Sequence, residues 1–116
     1  MPPTLIEQLV ASYVAKKLPT SIIEGLLKGK TVTYKNLRDG SRQDVFFSDD
    51  GKRIVHHSHG YMVSTPYEIR DNQFYERSGD KEYGTSIYRM RVESGFRYIA
   101  CDSRDNGYCN WEIIRP

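Results

Sequence analysis

"KTVTYKNLRDGSRQDVFFSDDGKRIVHHSHG", residues 30–60, decides the fold. Three runs of alternating side chains, 31–37, 43–48 and 52–58, are separated by Asp39-Gly40 and Asp50-Gly51 and closed by His59-Gly60. A period of two marks a half-buried strand. The dipeptides between the runs tolerate the positive φ that tight hairpin turns require. Downstream, turn signals at Asp71-Asn72, Ser78-Gly79-Asp80, Ser94-Gly95 and Asp105-Asn106-Gly107 set off further strands near 61–69, 73–77, 83–92, 96–101 and 108–114. Nine tyrosines and four phenylalanines suit such strands, because flat side chains pack well on a pleated surface. Short sequential links favour antiparallel neighbours, and closing the last strand on the first removes the edges that invite aggregation. The expected fold class is mainly β with N-terminal helices (α+β): a small antiparallel up-and-down β-barrel of about eight short strands. An open or sandwiched sheet is the alternative.

Upstream of this run the period changes. Thr4 and Glu7 have capping-box spacing, and Leu5, Ile6, Leu9, Val10, Tyr13 and Val14 recur along one helical face up to Leu18-Pro19. Ser21 and Glu24 repeat the capping spacing, Ile22, Ile23, Leu26 and Leu27 form the apolar face, and Gly29 suits a C-terminal cap. Residues 1–29 are therefore expected to form two short helices packed on a barrel domain of residues 30–116. At 116 residues the chain has room for a single core. The first helix also offers a contact for a homodimer.

Composition narrows the function. Seventeen Lys and Arg against fifteen Asp and Glu leave a net charge of +2, too small to drive binding to a nucleic-acid backbone. No apolar run reaches the ~18 residues of a membrane span. No secretory signal opens the chain, which leaves a removed leader open. Strands of about six residues in an eight-stranded barrel enclose little more than their own side chains. A large internal cavity is not expected, whereas a shallow pocket at one mouth or a recognition surface is.

Three groups of residues are candidates for chemistry. His57 and His59 point to one face of a strand and form an H-x-H pair for a metal, although no third ligand has a fixed place in the sequence. No nucleophile signature or paired-carboxylate spacing accompanies them, so no reaction is specified and no cofactor is expected. Arg89 and Arg91 share a face of one strand, and Arg97 follows on the next strand beside Tyr98. Together they make a candidate site for a small anionic ligand through forked hydrogen bonds, or for a protein partner. Cys101 and Cys109 lack the spacing of a zinc or redox pair. On neighbouring strands they come within disulfide reach, closing a loop worth about 2 to 3 kcal/mol and pointing to an oxidising, periplasmic or secreted setting; two reduced structural thiols, and with them the cytoplasm, are the alternative. Trp111 is expected to anchor the last strand in the core.

The short helix running into "GKTVTY" (29–34), then "FSDDG" (47–51) and a closing "CNWEI" (109–113), resembles small uncharacterised bacterial exported proteins with a lipocalin-like, calycin-type barrel. The resemblance implies a fold and an envelope location rather than an activity. "SGFRY" (94–98) also looks like the Ser-Gly loop by which periplasmic lysozyme inhibitors enter their target, which makes inhibition an alternative function.

Overall fold

The computed structural model describes residues 15–56, 60–93, 95–106 and 108–114. Strand β1 (Ala15–Lys17) and helix α1 (Thr20–Leu27) are followed by β2 (Lys30–Asn36), β3 (Arg42–Phe47), β4 (Lys52–His56), β5 (Met62–Arg70) and β6 (Gln73–Ser78). The long β7 (Lys81–Val92) then leads to β8 (Gly95–Asp102), a 3₁₀ turn (Ser103–Asp105) and β9 (Trp111–Ile114). Each strand from β2 to β8 pairs antiparallel with the next, β9 pairs with both β8 and β2, and the eight strands close into an up-and-down barrel. All eight strands expected from the alternating pattern are present.

The interior follows from alternation. Val32 and Tyr34 of β2, Val45 and Phe47 of β3, Val55 of β4, Phe74 of β6, Ile87 of β7 and Ile113 of β9 are buried in one cluster. At its centre the Phe47 ring meets Tyr67 and Phe74 edge to face, at centroid distances of 5.2 and 5.5 Å. This is the arrangement the ring quadrupoles favour.

Helix α1 sits at the end of the barrel where β2 and β6 begin and β5 ends, and it adds Ile23, Leu26 and Leu27 to the core. Its N-terminus is not held by the expected Ser21–Glu24 box. The cap residue is Pro19, and the Thr20 N–H donates to Asn72 Oδ1 at 3.1 Å while the Asn72 N–H donates to Thr20 Oγ1 at 2.8 Å. A residue in the β5–β6 turn thus serves one of the orphan donors of the first helical turn. Gly29 ends the helix as expected: it adopts φ 73°, and its N–H donates to the Phe47 carbonyl at 2.7 Å.

The expected first helix and its homodimer contact fall on residues 1–14, outside the described residues. Its last turn, however, is not helical. Residues 15–17 form β1, with Ala15 opposite Met90 and Lys17 opposite Tyr88. The reason lies in β7, whose first half pairs with β6 and whose distal half has no barrel neighbour on that side. β1 supplies the missing partner, and Ala15 is buried with Ile99 and Cys101 on the outer face of the wall. An available strand edge outweighs the helical spacing.

Candidate functional site: a polar pocket at the open mouth

The end of the barrel opposite α1 holds a pocket of about 410 Å³. It is built on a parity that the hairpin between β3 and β4 imposes. Val45 and Phe47 point inward, Val45 faces Val55 and Phe47 faces Arg53, so Arg53 and Val55 point inward and Ile54 does not. A shift of one residue would exchange the two faces. On β6 the same rule sends Glu76 inward with Phe74, and Tyr75 to the opposite face.

Arg53 and Glu76 therefore meet inside the barrel, 7% and 4% exposed. Arg53 Nη1 lies 3.3 Å from Glu76 Oε2, which also accepts from Thr65 Oγ1 of the intervening strand at 3.4 Å. The other oxygen, Glu76 Oε1, accepts from Arg104, which reaches back from the 3₁₀ turn. Asp102 holds that arginine in place: Oδ1 accepts from the Arg104 N–H at 2.9 Å, and Oδ2 pairs with the guanidinium at 3.0 Å. Burial pulls the Arg104 pKa down, but bonding to Asp102 and the field of Glu76 outweigh it and the net shift is upward. The Arg104 guanidinium also lies 4.9 Å from the Tyr83 ring centroid.

One wall is aromatic. Trp111 packs against Tyr34 at 5.9 Å between centroids, and its indole N–H donates to Asp105 Oδ2 at 3.2 Å. Trp111 is only half-buried and lines the pocket, so its expected role as a core anchor is shared with a place at the mouth. The Arg53 guanidinium lies 5.2 Å from the Tyr34 ring centroid and 5.8 Å from that of Phe47, where the apolar core gives way to the pocket. Tyr34 Oη and Arg53 Nε are both fully buried, and the side chain that acts on the phenol by charge and by hydrogen bonding is that of Arg53. Burial pushes the Tyr34 phenol far above its ordinary pKa, and the nearby Arg53 charge offsets only part of that rise. The hydroxyl is therefore neutral at every physiological pH.

The disulfide Cys101–Cys109 frames the loop that carries Arg104 and Asp105. Cys109 is not opposite Cys101 on a strand, because β9 begins only at Trp111. The bond runs from β8 to the loop segment preceding β9.

The predicted arginine cluster is not assembled. The β7–β8 register sets Arg89 opposite Tyr98, Met90 opposite Arg97 and Arg91 opposite Phe96, so Arg97 lies on the other face from Arg89 and Arg91. Arg97 makes a two-point contact with Glu112 of β9 at 2.8 and 2.9 Å, and Arg89 stacks on the exposed Phe96 ring at 4.7 Å. Tyr98 packs against the core. Ser94 of the "SGFRY" loop lies outside the described residues. So do His57 and His59. Among the described residues no three His, Cys, Asp or Glu side chains converge as a metal site, and no helix is long and apolar enough to cross a membrane. Compared with known proteins, the chain finds no match to a protein-family model, a curated protein or a solved structure.

The residues that build the pocket were not singled out as site candidates by sequence reasoning. Arg53 and Glu76 belong to no motif in the sequence. Parity within their own strands was the available signal, since each stands two positions from a core residue, Val55 and Phe74.

Proposed function

We propose that this protein is a non-catalytic binding module whose ligand site is the open mouth of the barrel. One observation carries the reading: a pocket of 410 Å³ opens at the mouth of the barrel, walled by the Arg53, Glu76 and Arg104 ion pairs and by Trp111. The volume falls within the roughly 300–1,000 Å³ usual for small-molecule sites. The carboxylates of Glu76, Asp102 and Asp105 are committed to arginines or to the indole, which suits recognition better than proton transfer. The disulfide is compatible with an oxidising location, and the resemblance to exported lipocalin-like proteins favours the bacterial envelope.

The test is a small-molecule screen followed by ¹H–¹⁵N NMR. A ligand of this site shifts the Trp111 indole resonance and the amides of Val55, Thr65 and Asp105, while those of Arg89 and Arg91 stay in place. A screen of chemically diverse polar compounds at millimolar concentration that moves none of the mouth resonances overturns the proposal.

A further inference from the structure

The end of the barrel opposite the mouth carries two sides of opposite charge. β7 pairs with β6 only as far as Thr85, and the described rungs between β8 and β9 begin at Tyr98. The hairpin of β7 and β8 therefore runs on past the rim, with β1 beside it. Alternation carries the face of Ile87 up to Arg89 and Arg91, and the register sets Lys16 beside Arg89 and Phe96 beside Arg91. Lys16 and Arg91 are exposed, and so is the Phe96 ring. Among the described residues none of the three cations forms an ion pair with a carboxylate. Glu93, exposed just beyond β7, offsets one of these charges.

Across the same end the sign reverses. β3 and β7 stand four strands apart in the ring of eight, so the turn joining β3 to β4 lies across the barrel end from that hairpin. Asp49 and Asp50 of this turn, Glu24 of α1 and Glu68 of β5 are exposed. Glu24, Asp49 and Glu68 line a pocket of about 220 Å³ together with Lys28 and Tyr67. Arg70 answers Glu68 at 3.3 Å, while Glu24 and Asp49 form no ion pair among the described residues. Burial, and after it the charges of Asp49 and Asp50, push the Tyr67 phenol above its ordinary pKa, so negative potential persists at this pocket. An end-to-end contact about a two-fold axis set between the two sides lays each cationic hairpin over the other copy's acidic turn. We infer that this end of the barrel is a self-complementary surface whose partner is a second copy of the chain. Lys16, Arg89 and Arg91 of each protomer then face the acidic pocket of the other, and Phe96 is withdrawn from water. A uniformly anionic partner, such as a phospholipid surface, suits only the hairpin side and is repelled by the acidic side, whereas a second copy answers both. Both mouths point away from the contact, so the pairing leaves the proposed ligand site open and does not depend on it.

The test is sedimentation velocity on the full, oxidised chain at low salt and at about 0.5 M salt, which screens contacts between exposed charges. The expected result is a dimer at about 0.1 mM protein and low salt whose association weakens at least about tenfold at high salt. Two charge-reversed variants follow, Lys16→Glu with Arg91→Glu and Glu24→Lys with Asp49→Lys. Both change exposed side chains that form no ion pair among the described residues, and each variant alone should be monomeric. An equimolar mixture of the two should regain the dimer, because each supplies the sign the other lacks. A monomeric wild-type chain at low salt overturns the inference without reference to any variant. If that monomer binds phosphatidylglycerol vesicles and the Lys16→Glu, Arg91→Glu variant does not, the hairpin belongs to an anionic lipid surface instead. A dimer indifferent to both pairs of substitutions overturns the inference as well, since the contact then lies elsewhere on the chain. So does loss of the dimer in both variants with no recovery on mixing.

Discussion

Arg53 stands where a hydrophobic residue would ordinarily fill a narrow barrel, and Glu76 is what makes that tolerable. Removing one member of a buried pair strands the other, at a cost of about 3 to 5 kcal/mol, whereas replacing both with apolar groups is often close to neutral. Glu76→Gln should therefore lower stability to urea by about that amount, and the Arg53→Met, Glu76→Leu double variant should lose distinctly less than the sum of the single changes. Additive losses would show that the two side chains are not coupled. The exposed-face pair of Arg97 with Glu112 behaves differently. The Arg97 hydrogen bonds hold the Glu112 carboxyl below its ordinary pKa of 4.5. A carboxyl depressed in the folded state stabilises fully above the unfolded pKa, and the contribution is lost as pH falls through the lower folded value. Arg97→Met should bring the Glu112 titration, followed by NMR, back toward 4.5 and remove about 0.5 to 1 kcal/mol of the stability measured at pH 6 but little of that measured at pH 2. Of these residues, Arg53 and Glu76 were legible in principle, by counting parity from Val55 and Phe74. The opposite facing of Arg97 was not, because it depends on which residue of β7 lies across the hairpin.

At the scale of elements, the wall of the pocket formed by the 3₁₀ turn is tied down at both ends, by β8 and by the Cys101–Cys109 bond. Closing so short a loop is worth about 2 to 3 kcal/mol, and the segment it constrains carries Arg104 and Asp105. The Cys101→Ser, Cys109→Ser variant should lose about that much stability and should redden and weaken Trp111 emission as the indole parts from Asp105. Unchanged emission in a destabilised variant would mean that the wall is held by its ion pairs alone. The disulfide was readable from spacing because no metal or redox motif competed for the two cysteines. The start of the chain was not so readable: the spacing that suggests a helix through Leu18 yields at residues 15–17 to pairing with β7. Helical periodicity is a local preference, and an unpaired strand edge more than seventy positions along the chain is not visible to it. Likewise the cap of α1 comes from Asn72, fifty-two positions along the chain, and no local box predicts it.

Closure governs the molecule as a whole. The four residues of β9 bridge β2 and β8, pairing Thr33 with Ile114 and Ala100 with Trp111. Without them β2 and β8 would each present an unpaired edge. A chain ending at Asn110 should lose its cooperative urea transition and self-associate on size-exclusion chromatography, while a monomeric truncated chain with a sharp transition would show that closure is dispensable. The sequence by itself determined that this protein is a run of short antiparallel hairpins behind a short helix, ending in a disulfide-framed loop. Alternation, turn residues and cysteine spacing are properties of neighbouring positions, and hairpin pairing extends them from one strand to the next. Only the tertiary structure decided that Arg53, Glu76, Arg104 and Trp111 share one mouth while Arg89 and Arg97 part company. Those outcomes depend on cross-strand register and on curvature accumulated over eight strands, so that contacts between residues far apart in the chain are set by the closed barrel rather than by any local pattern.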